Sequence, residues 1–193
     1  MILQEKYKDF NIILASNSPR RKQFLTDLGL SFSVKPANVN EEYPSHLKGK
    51  DIALYIAKQK ASVFSSLKSN ELVITCDTIV WVSNIALGKP NDADDSKKML
   101  QTLSGTTHEV ISAVCIKSHE KELLFHDSTE VTFNNLNNYD IDYYIKTFKP
   151  FDKAGSYGIQ EWIGLIGIEK IHGSYTNVVG MPMEKLYNEL INW

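Results

Sequence analysis

The amino-acid sequence predicts an α/β fold with a mixed central sheet flanked by helices. Apolar strand-like runs alternate with segments of helical periodicity, the first run passes through a short turn into a helix, and two later strands are separated by a short polar turn. The alternation favours parallel strands, and the short turn adds an antiparallel hairpin. The 193 residues, 42% of them hydrophobic, suffice for one domain over residues 1–193, with one sizeable core or two small lobes that share one.

Strands and helices can be assigned in order after residue 10. Strands are predicted at residues 11–15, 31–35, 72–82, 109–117, 123–133 and 165–171. Helices are predicted at residues 19–28, 51–67, 92–103, 139–147 and from about residue 182, and residues 173–182 are expected to be a turn that leads into the last helix. The first helix has Ser18 as its N-cap, Pro19 as its first residue and Gly29 as its stop.

The charge of the chain is nearly balanced, with 21 Lys+Arg against 23 Asp+Glu and a net charge of -2. No overall field attracts nucleic acid or an anionic membrane, so any anion site must be local. Cys76 and Cys115 lie in apolar runs without a nearby partner, and the five histidines lack zinc-site spacing. No apolar stretch approaches the ~20 residues of a membrane helix, and the first ten residues are too charged for a signal peptide, so we expect a cytoplasmic protein.

The turn after the first strand, residues 16–21 (Ser-Asn-Ser-Pro-Arg-Arg), predicts a phosphate site. Arg20 and Arg21 fall in the first helical turn, where the helix dipole already presents positive potential, so their position is locally unfavourable. Free backbone N–H groups, the hydroxyls of Ser16 and Ser18 and these guanidinium groups together suit a multiply charged anion. The alternative is that the arginines lie on a solvated helix face, or that one of them is structural.

A second candidate is Asp77, the one carboxylate inside the apolar run 72–82. A buried ionised carboxylate must be paired, hydrogen-bonded or bound to a metal. Mg²⁺ or Mn²⁺ fits this chain better than zinc, with Glu41 as the candidate second ligand and Thr78 to orient Asp77 or contact a ligand. The alternative places Asp77 at a bulge or a sheet end, with hydrogen bonds from the backbone.

Lysines and a glycine-bearing loop supply the remaining candidates. Lys60 lies on a helix whose other face is apolar, and Lys89 directly precedes a helix start; taken singly, such lysines are usually surface solubilisers. Two glycines in the loop 152–160 suit close approach of the backbone to a ligand. The polar side chains of this loop are those of Asp152, Lys153 and Gln160. Gln160 is a candidate reader of a base edge, and the chain contains neither a Walker A loop nor a Gly-x-Gly-x-x-Gly motif.

Five blocks, occurring together and in order, resemble the Maf family of nucleotide pyrophosphatases from about residue 12 to the C-terminus. The blocks are residues 14–21, 57–61, 77–80 with 88–90, 103–110 and 152–160. The resemblance implies a fold related to the inosine triphosphate pyrophosphatases (Ham1), with two closely joined lobes and a cleft. It also implies cleavage of a nucleoside triphosphate between its α and β phosphates, a divalent metal and, in many members, a homodimer. Residues 1–10 lie outside the resemblance.

The resemblance also assigns roles position by position. Asp77 falls on the family's proposed proton acceptor, and the base-preference positions fall on Arg20, Thr78 and Gln160. The other pocket positions fall on Ser16, Glu41, Lys60 and Lys89. The form of the loop 152–160 resembles the branch that acts on dTTP and UTP rather than the branch that prefers 7-methyl-GTP.

Two departures from the family pattern bear on base preference. Lys149 stands before a proline where an acid is usual, and Glu161, Trp162 and Ile163 replace a more glycine-rich stretch. The open alternatives are the same hydrolysis with 7-methyl-GTP or another modified nucleotide, and a nucleotide-binding regulator of cell division or septum formation that hydrolyses little.

Overall fold

A computed structural model describes residues 2–193. The helices are α1 (Ile2–Lys6), α2 (Pro19–Asp27), α3 (Lys50–Ser62), α4 (Ala93–Leu103), α5 (Asn138–Phe148), α6 (Trp162–Gly167), α7 (Tyr175–Val179) and α8 (Met183–Asn192). The strands are β1 (Asn11–Leu14), β2 (Phe32–Val34), β3 (Glu71–Val82), β4 (Ile85–Leu87), β5 (Thr107–Lys117), β6 (Glu122–Phe133) and β7 (Ile168–His172). A short 3₁₀ turn covers Ala154–Ser156. No helix within residues 2–193 is long and apolar enough to cross a membrane.

The strands form one mixed sheet in the order β2-β1-β3-β5-β6-β7, with β4 paired to β3. Strand β1 runs parallel to β2 and to β3, whereas β4 is antiparallel to β3 and β7 is antiparallel to β6. The turn between β5 and β6 is closed by the N–H of Ser118, which donates to the carbonyl of Lys121 at 2.8 Å. The predicted mixed α/β sheet and the predicted hairpin are both confirmed.

The chain divides into two compact units, each with its own apolar core. Unit 1 comprises the residues up to Asp77 together with 112–127 and 180–193. Its core is formed by side chains of α1, β1, β3, β5 and α8. Unit 2 comprises residues 78–111 and 128–179, and its core is formed mainly by side chains of α4, β6 and α5.

The boundaries of α2 agree with the sequence prediction and have the expected causes. The hydroxyl of Ser18 accepts a hydrogen bond from the N–H of Arg21 at 3.5 Å, and Pro19 is the first helical residue. Beyond the helix, Gly29 has a φ of 72°, a left-handed conformation that glycine adopts without steric cost. The turn that leads into α2 is therefore fixed by local sequence.

Three predicted elements are wrong in part. The helix predicted for residues 51–67 ends at Ser62, and residues 173–182 contain α7 rather than only a turn. The strand predicted for residues 165–171 begins only at Ile168, because residues 162–167 form α6. An apolar run of this length suits either element, and the helix that forms here requires Gly164: a Cβ at that position would lie 1.8 Å from the carbonyl oxygen of Ile159.

Candidate active site

The turn 16–21 lies at the carboxyl end of β1, beside β3. Leu14 is paired with Ile74, and the N–H of Ala15 donates to the carbonyl of Ile74 at 2.9 Å. The next residue, Ser16, is buried, and its hydroxyl accepts the N–H of Ser18 at 3.2 Å. Carboxyl ends of parallel strands are the usual ligand-binding edge of an α/β sheet. The predicted phosphate turn therefore begins at this edge, where β3 continues towards Asp77.

The guanidinium of Arg21 is held by the backbone of unit 1. Its Nη1 donates to the carbonyl of Cys76 at 2.8 Å and to the hydroxyl of Ser16 at 3.3 Å, while its Nε donates to the carbonyl of Gly180 at 3.0 Å. Arg21 thus links the start of α2 to the residue before Asp77. Arg20 precedes it in the same helical turn and is half-buried.

Lys60 connects the two predicted carboxylates of unit 1. Its Nζ lies 2.7 Å from Oδ1 of Asp77 and 2.8 Å from Oε1 of Glu41. Lys60 and Asp77 are each 7% exposed, whereas the side chain of Glu41 is 42% exposed. The hydroxyl of Thr75 donates to the carbonyl of Ala57 at 2.7 Å. Thr75 and Asp77 point to the same face of β3, and their partners Ala57 and Lys60 are about one turn apart on α3. The partner that a buried Asp77 requires is therefore Lys60.

The ammonium of Lys60 stays charged in this setting. Burial is the largest single influence and lowers the pKa of Lys60, and the nearby charge of Arg21 lowers it further. The carboxylates of Asp77 and Glu41, together with the hydrogen bond to Asp77, outweigh both and raise the pKa of Lys60 above its ordinary value. With both acids ionised, the cluster of Lys60, Asp77 and Glu41 carries one net negative charge.

The donor set of Asp77 and Glu41 fits a hard divalent cation. Two carboxylate oxygens already converge on one positive charge, the ammonium of Lys60. Mg²⁺ in phosphate-processing enzymes is commonly bound by one or two carboxylates, with phosphate and water oxygens completing its shell. Within residues 2–193, no group of three or more His, Cys, Asp or Glu side chains is arranged to hold a metal ion. The pair therefore suits an ion that receives most of its ligands from elsewhere.

A second buried lysine, Lys153, lies between two carboxylates in unit 2. Its Nζ is 2.7 Å from Oδ1 of Asp152 and 3.0 Å from Oε1 of Glu161. The hydroxyl of Tyr144 donates to Oε2 of Glu161 and accepts the N–H of Gly158 at 3.0 Å. The sequence predicts Asp152 and Lys153 as site residues but does not predict Glu161 or Tyr144. The sequence signal for Glu161 was its departure from the family pattern, because it is an acid in a stretch that is usually richer in glycine.

Gln160 and Lys89 border the same loop of unit 2. Gln160 is exposed, and its Nε2 would lie 3.0 Å from a Cβ placed on Gly158. Lys89 is also exposed and follows Gly88, whose carbonyl accepts the N–H of Gly155 at 3.0 Å. Thr78, half-buried, directly follows Asp77 on β3. Unit 2 therefore gathers Asp152, Lys153 and Gln160 around one loop.

A buried histidine supports this loop from the core of unit 2. Nε2 of His108 lies 2.8 Å from the hydroxyl of Tyr157, and both residues are buried. Burial lowers the pKa of His108 to about 4, so the imidazole is neutral at physiological pH. Its Nδ1 is buried and has no hydrogen-bond partner. His108 therefore packs the loop as an uncharged ring.

A family model described as Maf-like protein matches residues 11–193. The chain belongs to the Maf family. The match starts where the sequence resemblance starts and covers every candidate site residue of this Maf chain. The membership that the sequence resemblance predicts is thereby confirmed.

Several similar Maf-family chains carry a curated name. The dTTP/UTP pyrophosphatase of Flavobacterium psychrophilum is 54% identical over 99% of this chain and 98% of its own length. Proteins of the same name from Phocaeicola vulgatus and Flavobacterium johnsoniae are 52% and 50% identical, over 96% and 98% of each chain respectively. Among solved structures, a HAM1 protein from Coxiella burnetii is similar at 16% identity with a TM-score of 0.49, over 95% of this chain and 100% of that one.

Proposed function

We propose that this chain hydrolyses dTTP and UTP to the nucleoside monophosphate and pyrophosphate. The observation that carries the proposal is its identity of 50% to 54%, over nearly the whole chain, to proteins named dTTP/UTP pyrophosphatase. The cluster of Lys60, Asp77 and Glu41, whose Asp77 lies where β3 continues past the carboxyl end of β1, supplies chemistry that suits this reaction. The homodimer, the cytoplasmic location and the link to septum formation stay predictions.

In the proposed mechanism, Asp77 is the general base. Its carboxylate accepts a proton from a water that attacks the α-phosphorus, the bond from that phosphorus to the α–β bridging oxygen breaks, and pyrophosphate leaves. Lys60 orients the carboxylate through its 2.7 Å contact and holds a fixed positive charge beside it. Because Lys60 is already bound to two acids, it acts on the substrate mainly through Asp77 rather than as a free phosphate ligand.

Positive charge for the triphosphate comes from other groups. Arg20, in the first turn of α2, together with Ser16, contributes to the phosphate site of unit 1. Lys89 contributes positive charge at the phosphates, and Gln160 contacts the base edge, as the sequence predicts for it. Asp77 and Glu41 are the residues that would hold Mg²⁺ or Mn²⁺, and such an ion when bound supplies further charge neutralisation at the phosphate oxygens.

The direct test is Asp77→Asn, assayed by pyrophosphate release with Mg²⁺ from dTTP, UTP, GTP and 7-methyl-GTP. Loss of a general base should lower kcat by about a thousandfold in a variant that still folds, although its unfolding temperature should fall because the buried Lys60 loses its main partner. Asp9→Asn, an exposed aspartate before the matched region, is the matched control and should retain full activity.

Three outcomes would contradict parts of the proposal. Near-normal hydrolysis by Asp77→Asn would remove Asp77 from its role as base. Faster release from GTP or 7-methyl-GTP than from dTTP and UTP would overturn the substrate assignment, and no release from any nucleotide would favour a nucleotide-binding regulator.

A further inference from the structure

Glu161 uses both of its carboxylate oxygens within unit 2. Oε1 contacts the ammonium of Lys153 at 3.0 Å, and Oε2 accepts the hydroxyl of Tyr144. Tyr144 is fully buried on α5, and burial first and the bond to Glu161 second raise its pKa, so its phenol remains a proton donor. Glu161 is therefore anchored to the core and, through Lys153, to Asp152.

Gln160 shares its surroundings with this anchored group. A Cβ placed on Gly158 would lie 2.9 Å from Cε of Lys153, 3.0 Å from Cδ of Glu161 and 3.0 Å from Nε2 of Gln160. The three side chains thus crowd one face of Gly158. Gln160 itself is exposed, whereas Lys153 is buried and Glu161 is half-buried.

The charge of the cluster favours one orientation of the Gln160 amide. Two carboxylates and one ammonium leave a net negative charge beside Gly158. A negative charge attracts the amide N–H₂ and repels the amide oxygen, which agrees with Nε2 lying towards Gly158. Oε1 of Gln160 is then the atom available to a base.

We propose that Glu161 is a positioning residue that fixes the amide of Gln160 with its oxygen outward, and so selects uracil and thymine over cytosine. An outward oxygen accepts the N3–H of uracil or thymine, whereas N3 of cytosine is itself an acceptor and finds no donor there. An amide free to flip would serve either base, because its other end is a donor. This inference rests on the proposed function, since it assigns the base preference of the same site.

The alternative is that Glu161 only ties the loop to α5. That role predicts a less stable protein, or weaker binding of every nucleotide alike, with no change in the preference between bases. A positioning role predicts a change in that preference which depends on Gln160. The two roles are therefore separable by kinetics.

The test measures kcat and KM for UTP and CTP. Glu161→Gln keeps the side-chain length and an acceptor for Tyr144 but removes the charge. It should raise the KM for UTP about tenfold, leave kcat within about twofold and raise the CTP:UTP ratio of kcat/KM about tenfold. Glu161→Asp, which retains the charge, should restore much of the preference. Glu169→Gln removes an exposed carboxylate from β7 and is the matched control.

A double variant identifies the route of the effect. Once Gln160→Ala has removed the reader, adding Glu161→Gln should change the CTP:UTP ratio no further. The inference would be overturned if Glu161→Gln left the CTP:UTP ratio unchanged, or if it changed that ratio as much on the Gln160→Ala background as it does alone. A wild-type protein that hydrolyses neither UTP nor dTTP would instead refute the proposed function, so the two failures are distinct.

Discussion

Replacing Lys60 with methionine should lower the free energy of unfolding by about 3 kcal/mol, because it leaves the buried carboxylate of Asp77 without its cation. Methionine approximates the aliphatic part of the lysine side chain, so the loss of packing against α3 is small. The change therefore tests the charge of Lys60 rather than its volume.

The magnitude follows from the burial of each partner. At 2.7 Å, and with an effective dielectric constant of about 20, Lys60 and Asp77 attract each other by roughly 6 kcal/mol, which the desolvation of both ions largely offsets. Without Lys60, the desolvation of Asp77 is no longer compensated, and breaking such a pair costs about 3–5 kcal/mol. We take the low end because Asp77 keeps some exposure. Glu41 adds below about 1 kcal/mol, since 42% of its side chain is exposed.

The assay is urea unfolding followed by far-UV circular dichroism at neutral pH. Lys58→Met, on the exposed face of the same helix, should change the free energy of unfolding by less than about 0.5 kcal/mol. Adding Asp77→Asn to Lys60→Met should recover more than half of the loss, because no buried charge then remains unpaired. If Lys60→Met is as stable as the wild type, or if the second substitution recovers nothing, the electrostatic reasoning fails.

Two further predictions concern unit 2. The folded protein holds the pKa of His108 near 4, whereas the unfolded chain protonates near 6.5, so protonation stabilises the unfolded state as the pH falls between these values. The free energy of unfolding of the wild type should therefore fall by about 2 kcal/mol between neutral pH and about pH 5. In urea unfolding, the pH dependence of His108→Gln should be smaller by that amount. Gly155→Ala should lower the free energy of unfolding by about 1–2 kcal/mol, because φ is 66° and the new Cβ would lie 2.8 Å from Cγ2 of Val80. The control is Gly88→Ala, where nothing lies within 4 Å of the new Cβ, and a loss no larger than that of the control would contradict the prediction.

Local signals were sufficient for the elements that carry the site. Ser18, Pro19 and Gly29 predict the ends of α2, and the apolar run 72–82 predicts β3 to within one residue. These features act through backbone conformation and periodicity, which are properties of neighbouring residues. The same kind of signal was ambiguous for α6, because a short apolar run with glycines suits a strand as well as a helix.

The partner of each charged group could not be predicted in the same way. The sequence shows that Asp77 needs a partner, but the pairing with Lys60 depends on how α3 packs against β3. One signal was present: Lys60 continues the buried stripe of α3 that includes Ile56 and Ala57. A lysine at a core position of an amphipathic helix is expected to find a carboxylate. The roles predicted for the remaining site residues stay predictions.

The division of the chain into two units has an evolutionary consequence. The chain passes between them at residues 77–78, 111–112, 127–128 and 179–180, so neither unit is encoded by one continuous stretch of gene. Recombination at a single point cannot transplant one unit onto another protein. Asp77 and Thr78 stand at the first of these crossings. Exchange of a whole unit would therefore require several crossovers, whereas a point substitution such as the one at Glu161 requires none.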